Sequence, residues 1–351
     1  MGNISKLDKN FAVGTHLKQA GIAFYDVQKP PFQVHGVFWE NGKFRRMPEQ
    51  VAVTVSEGVA GLHAHTAGGR VRFRTDSPYV AISAVLEDEA RMPHFALSGS
   101  MGFDLYADNQ YAGSFIPPYD AKGGYESLIS FPNGAAMREI TVNFPLYSGV
   151  RELHIGLDEH AAIEAAAPYR TEKPVVFYGS SITQGGCASR PGMSYESILS
   201  RRLQCDFINL GFSGNARAED AMADYIKQLD MSLFVYDYDH NAPTVEHLQR
   251  THEKLFLAVR KANPQLPIIL MNRPKACLTA EEQQRRAIIE KTCRNAIAAG
   301  DTHVYLIDNE ALTQLCGGEG TVDNCHPTDF GFVSMARALG DVIEENGLLD
   351  K

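Results

Sequence analysis

Up to about residue 160 the apolar positions alternate with polar ones over short stretches. They are 51–55 (VAVTV), 70–74 (RVRFR), 79–87 (YVAISAVLE) and 140–146 (ITVNFPL). Turn signals, HTAGGR, DSPY and FPNG, fall between them. A period of two broken by turns predicts half-buried antiparallel strands, as in a β-sandwich or jelly roll. No long helical pattern occurs here. Beyond residue 160, apolar strands are predicted at 174–178, 206–210, 232–237, 267–271 and 303–308. Helical patterns fill the gaps at 193–204, 216–229, 244–262, 279–299 and 328–345. Five such units predict an α/β fold with a five-stranded parallel sheet covered by helices on both faces. The stretch 158–174, DEHAAIEAAAPYRTEKP, reads as a linker with room for a short helical turn. The expected organisation is therefore a β-sandwich over 1–160 and an α/β domain over 171–351. A chain of 351 residues is long enough for both.

Composition changes this picture little, but charge and cysteines narrow the function. Lys+Arg 33 against Asp+Glu 42 leaves a net charge of −9, with no basic run. Nucleic acid and acidic membrane surfaces are poor partners for such a chain. No apolar run approaches spanning length. The N-terminal MGNISKLDKNF lacks the apolar core of a secretory signal, and Lys6 stands where a myristoylation pattern needs Ser or Thr. The cysteines at 187, 205, 277, 293, 316 and 325 form no CxxC pair. Reduced thiols in a cytoplasmic protein are the expectation, rather than a zinc site or a disulfide framework.

In open α/β sheets ligands bind beyond the carboxyl ends of the strands. Strand one leads into Gly179-Ser180-Ser181, strand two into NLGFSGN with Gly214, and strand three into DYDHNAP with Asn241. Strand four leads into Asn272 and Arg273, and strand five, after a loop, into VDNCHPTDFGF with Asp323 and His326. A hydroxyl, an imidazole, a carboxylate and amide donors thus fall on one edge, which is what a serine hydrolase needs. A serine opening a helix would have a free backbone N–H and the positive dipole end behind it. Asp323 and His326, three apart, would share one side of a helical turn. Glycine at 214 can present a bare N–H.

These blocks resemble the SGNH (GDSL-type) hydrolases, named for Ser, Gly, Asn and His in separate blocks. YGSSITQG places the nucleophile position on Ser181, NLGFSGN matches at Gly214, and Asp-x-x-His matches Asp323 and His326. The Asn block matches at Asn241, but reads Asp-Tyr-Asp-His-Asn instead of Gly-x-Asn-Asp. Ser180 replaces the usual Asp of the GDS triplet. The sequence GFDLY at 102–106, with FPLYSGVRELHIGL at 144–157, resembles the sandwich that precedes the catalytic domain in one subgroup. The resemblance implies a flavodoxin-like α/β/α sandwich. It also implies a Ser181–His326–Asp323 triad and an oxyanion hole from Ser181 N–H, Gly214 N–H and the Asn241 amide. It implies no cofactor or metal, and a small acyl ester substrate such as an acetylated carbohydrate. Arg273 and Asp239 are weaker candidates for lining the substrate site.

Blander readings compete at several positions. Asp237, Asp239 and His240 look superficially like metal ligands, but strand alternation would put His240 on the face opposite the two aspartates. Cys325 reads as an inert thiol. GFDLY reads first as a core strand, with Phe103 and Leu105 alternating against Asp104 and Tyr106, ahead of direct substrate contact. One tryptophan, Trp39, is little for a sugar-stacking surface. Two rival functions stay open: an acyltransferase using the same residues, and a non-catalytic carbohydrate-binding protein.

Overall fold

A computed structural model describes residues 17–349; the leader and Lys6 expectations lie outside them. The first half forms two antiparallel sheets. One contains Ile22–Asp26, Val150–Asp158, Tyr79–Leu86 and Gly124–Ser130, in that order. The other contains Arg70–Thr75, Arg138–Asn143, Phe103–Ala107 and Gln110–Phe115, edged by Gln33–His35 and Ile163–Glu164. Alternate side chains of the two sheets, among them Val71, Phe73, Phe103, Leu105, Ile82 and Ile155, close one apolar core.

Two expectations fail here. VAVTV is not a strand but the body of a helix, Glu49–Val55, followed by another, Glu57–Leu62. Positions 51, 52, 55, 59 and 62 carry the buried face, which is helical spacing, while Val53 is 60 % exposed. The alternation of valines was incidental, and Pro48 with Glu49 supplies the helix start. The linker holds no helix. Its Ile163–Glu164 pairs with Arg70–Thr75, so the sandwich sheet extends past residue 160.

The second half is as expected. Five parallel strands run in the order Phe207–Gly211, Val175–Gly179, Leu233–Asp237, Ile268–Met271, Val304–Ile307. That is 2-1-3-4-5 by sequence, the flavodoxin-like order. Successive side chains go to opposite faces: Val176, Tyr178, Phe234 and Tyr236 into one core, Val175, Phe177, Leu233 and Val235 into the other. Tyr195–Leu203 and Asp329–Glu345 cover the second core, while Asp220–Ile226, Val245–Ala262 and Ala280–Ala298 cover the first. Thr279 and Glu282 form a capping box that starts the last of these.

The two halves share their cores. Met47, Ala52 and Val59 pack into the first α/β core, and Ala67, Phe95, Leu146 and Tyr147 into the second.

Candidate active site

Strand Val175–Gly179 ends where a side chain cannot fit. A Cβ on Gly179 would lie 2.1 Å from both the Asp237 carbonyl oxygen and Thr183 Oγ1. The chain then folds into hydrogen-bonded turns rather than a helix: Gln184 N–H donates to Ser180 O at 3.0 Å and Gly186 N–H to Ser181 O at 2.8 Å. The next α-helix begins only at Tyr195, after a 3-10 turn at Pro191–Met193. The expected helix dipole behind Ser181 is therefore absent. The side-by-side hydroxyls divide their work. Ser180 is fully buried, and its Oγ accepts the Ile182 N–H at 3.1 Å, a local turn bond. Ser181 is 8 % exposed, and its Oγ lies 2.9 Å from His326 Nε2.

His326 is brought there by a turn, not by a helix. Asp323 Oδ1 accepts the backbone N–H groups of Cys325 at 3.0 Å and His326 at 2.7 Å, with Asn324 in the left-handed region at φ 65°. The other carboxylate oxygen lies 2.7 Å from His326 Nδ1. Burial pushes the Asp323 carboxyl up, but the bonds from His326 outweigh it and hold the group below the usual range. With the ring proton on Nδ1 and donated to Asp323, Nε2 accepts from the Ser181 hydroxyl. The three groups form one continuous relay.

Gly214 sits at φ +70°, and a Cβ there would meet nothing within 4 Å. Glycine is favoured by the backbone conformation, not by crowding. Neither the Ser181 nor the Gly214 N–H donates to a protein acceptor among the described residues. Gln184 of the serine turn accepts the Ser213 N–H at 3.0 Å, and Asn241 Oδ1 accepts the Ala216 N–H at 3.3 Å. The serine, glycine and asparagine turns are thus laced together. Asn241 lies in a short 3-10 turn, Asp239–Asn241, so the strand alternation assumed for Asp239 and His240 does not hold. Arg285 bonds the carbonyls at both ends of that turn, Asp239 and Ala242, at 3.0 Å each. Arg273 and Asp239 are paired with each other at 3.0 Å, and Arg273 also holds Glu282 at 2.8 Å.

Beneath the nucleophile turn lies Asp237. It is 1 % exposed and accepts from Thr183 Oγ1 at 3.1 Å, while Oδ1 has no partner among the described residues. Burial, then the neighbouring Asp239, pushes its carboxyl up to about 7. An acid raised in the fold loses stability as pH climbs, because the unfolded group ionises near 4 and the folded one only near 7. Asp237→Asn should remove that loss. Relative to the parent, the variant should gain up to about 4 kcal/mol between pH 4 and pH 8, with little change above pH 8. Denaturant unfolding at several pH values tests this, and parallel profiles for the two proteins would refute it.

The sandwich reaches the site directly. Tyr147 Oη donates to Ser181 O at 3.2 Å, and Phe95 packs edge-on against Tyr147. In GFDLY, Phe103 and Leu105 are core residues as expected. Asp104 and Tyr106 instead face the α/β half. Asp104, fully buried, pairs with Arg190 at 2.9 Å and accepts the Gly192 N–H at 2.8 Å. Tyr106 Oη bonds Arg190 at 2.5 Å. This lock fastens the chain that follows the nucleophile turn. An aspartate inside an apolar strand pattern was its only sequence signal. His94, also from the sandwich, stands 5.8 Å from His326, ring centre to ring centre.

A hydroxyl after strand one and an acid–base pair after strand five, on a 2-1-3-4-5 sheet, are the arrangement that serine esterases of the SGNH class require. Residues 172–344 match the model of the GDSL-like lipase/acylhydrolase family, and that half of the chain belongs to it. Residues 22–163 match the N-terminus of SGNH-hydrolase-type esterases. A protein described as a GDSL-like lipase, from Bacteroides ovatus, is 26 % identical, with TM-score 0.83 over 94 % of this chain and 98 % of that one. A salicylyl-acyltransferase from a tetracycline biosynthetic pathway shares the fold at 20 % identity, TM-score 0.77, over 95 % and 99 % of the two chains. So does an acetyl xylan esterase from the rumen bacterium Butyrivibrio proteoclasticus, at 11 %, 0.60, 94 % and 100 %. No curated protein sequence matches the chain. Among the described residues, no helix is long and apolar enough to cross a membrane.

Proposed function

We propose that the chain hydrolyses small acyl esters, removing acetyl groups from a carbohydrate, through Ser181, His326 and Asp323. The carrying observation is the relay of 2.9 Å and 2.7 Å contacts. Ser181 attacks the ester carbonyl while His326 takes its proton. Asp323 holds the ring tautomer and stabilises the imidazolium. The N–H groups of Ser181 and Gly214 and the Asn241 amide receive the developing oxyanion. His326 then protonates the departing alcohol, and water releases the acyl group by the same route. Arg273 and Asp239 act through their ion pair, which steadies the Asn241 turn. The relay lies near the surface, with the Asp323 side chain 36 % exposed, which suits an ester carried on a bulky alcohol. The acetyl xylan esterase of like fold is a parallel for the substrate, and the salicylyl-acyltransferase of like fold keeps acyl transfer to an alcohol as the second reading. Six unpaired cysteines suit a reducing compartment such as the cytoplasm.

A screen across acetylated sugars and aryl esters of increasing acyl length, with and without an acceptor alcohol, tests this. Fastest turnover of acetyl esters with release of free acetate is expected. Acyl transfer favoured over release would select the second reading, and no turnover with no fluorophosphonate labelling would refute both.

Asn241→Ala tests the oxyanion assignment. Loss of one donor costs about 10²–10³ in kcat, and the fold should survive because the side chain accepts only one backbone N–H. A loss below about tenfold, set against that range, would make Asn241 structural.

A further inference from the structure

Next to the relay, His94, Cys187 and His326 bring one ligand atom each to within 4.8 Å of one another. They come from three separate places: a loop of the sandwich, the end of the nucleophile turn, and the turn after strand five. Two imidazoles and a thiol form a donor set for a borderline-soft cation such as zinc, not for magnesium or calcium. Cys187 is held there in the left-handed region, at φ 73°, an unusual backbone for a cysteine. The shell behind the donors is also built. A metal on His326 Nε2 would leave Nδ1–H donating to Asp323, the carboxylate–histidine arrangement that orients metal-bound imidazoles.

Resting on the reading of His326 as the general base, we infer that His94, Cys187 and His326 form an inhibitory site for zinc or a similar divalent transition metal. The cation turns the esterase off. Binding replaces the thiol proton, which leaves to solvent as the metal–sulfur bond forms. His326 gives up a lone pair whichever nitrogen binds. Through Nε2 it loses the Ser181 hydroxyl, and through Nδ1 it loses Asp323. Either loss breaks the relay. Because His94 belongs to the sandwich and the other two ligands to the α/β half, the ion would also bridge the halves.

The test uses the full chain after chelator treatment. That metal-free enzyme should keep its whole rate on an aryl acetate. One equivalent of zinc should then abolish the rate, and chelator should restore it. Magnesium at the same concentration should do nothing. His94→Ala and Cys187→Ser should keep the basal rate and need at least about tenfold more zinc for half inhibition. Cobalt should give a near-ultraviolet thiolate–metal band that Cys187→Ser lacks. Ser181→Ala, measured by calorimetry, should still bind one zinc, which separates the metal site from the serine mechanism. Equal zinc sensitivity in the parent and both ligand variants would overturn the inference, as would calorimetry showing no stoichiometric zinc in either the parent or Ser181→Ala.

Discussion

Ser181→Ala should reduce ester hydrolysis by a factor on the order of 10⁴ or more while leaving the fold intact. Ser180→Ala should do the opposite. The two hydroxyls are neighbours in sequence but not in role. Ser181 Oγ faces His326 Nε2 at 2.9 Å, and its loss removes the attacking atom while orphaning no backbone group. Ser180 Oγ accepts the buried Ile182 N–H at 3.1 Å. Its loss strands that donor, at a cost of about 1–3 kcal/mol, yet touches none of the relay. Paired measurements of kcat on an aryl acetate and of unfolding free energy separate them. Ser181→Ala should be inactive and stable, Ser180→Ala active and less stable. An active Ser181→Ala, or an inactive Ser180→Ala of normal stability, would sink the assignment.

The parallel sheet was legible because each strand is a short, mostly apolar and mostly buried run between helical patterns. Its strands fall within a residue or so of where the apolar runs put them. The convergence of the candidate site residues was legible for a related reason. A sheet of this kind brings its carboxyl ends to one edge, so residues far apart in sequence need only follow the right strands. Local backbone at those ends was not legible. Ser181 lacks its helix, and Asp323 and His326 meet through an Asx turn rather than a helical one. Both depend on side chain–backbone bonds that periodicity does not encode. Nor does local pattern encode a surface whose partner is another part of the chain. VAVTV alternates like a strand, yet its buried face is set by the α/β core that it docks against. Asp104 and Tyr106 look like the outward face of a strand until Arg190 and Gly192 arrive against them. His94 had no signal at all, since it is a loop residue whose interest arises only beside His326.

Separating the halves should destroy the enzyme rather than release an independent catalytic domain. The cut belongs after residue 170, because Ile163–Glu164 still pairs with the sandwich sheet. Deletion would strip Met47, Ala52 and Val59 from one α/β core and Ala67, Phe95, Leu146 and Tyr147 from the other, exposing both to water. It would also remove Arg46, whose fully buried guanidinium donates to the carbonyls of Leu62 and His65 on its own side. On the other side it reaches Asn209 O at 3.2 Å and Gly211 O at 2.6 Å, in the strand beside the nucleophile strand. Burial, partly offset by Tyr147 and Glu196, pulls the Arg46 guanidinium down to about 9, and the surrounding carbonyl acceptors compensate the buried cation. Without it they lose a charged donor next to the turn that carries Ser181. That turn would further lose the Tyr147 hydroxyl from Ser181 O, and the Gly192 N–H would lose Asp104. Expression of residues 171–351 should therefore give aggregated protein. Any soluble fraction should turn over even a small aryl acetate at least about a hundredfold more slowly, as misplacement of catalytic groups by about 1 Å already costs that much. A soluble fragment that hydrolyses aryl acetate at the full rate, and has lost only affinity for polysaccharide, would show that the sandwich is a separable binding module.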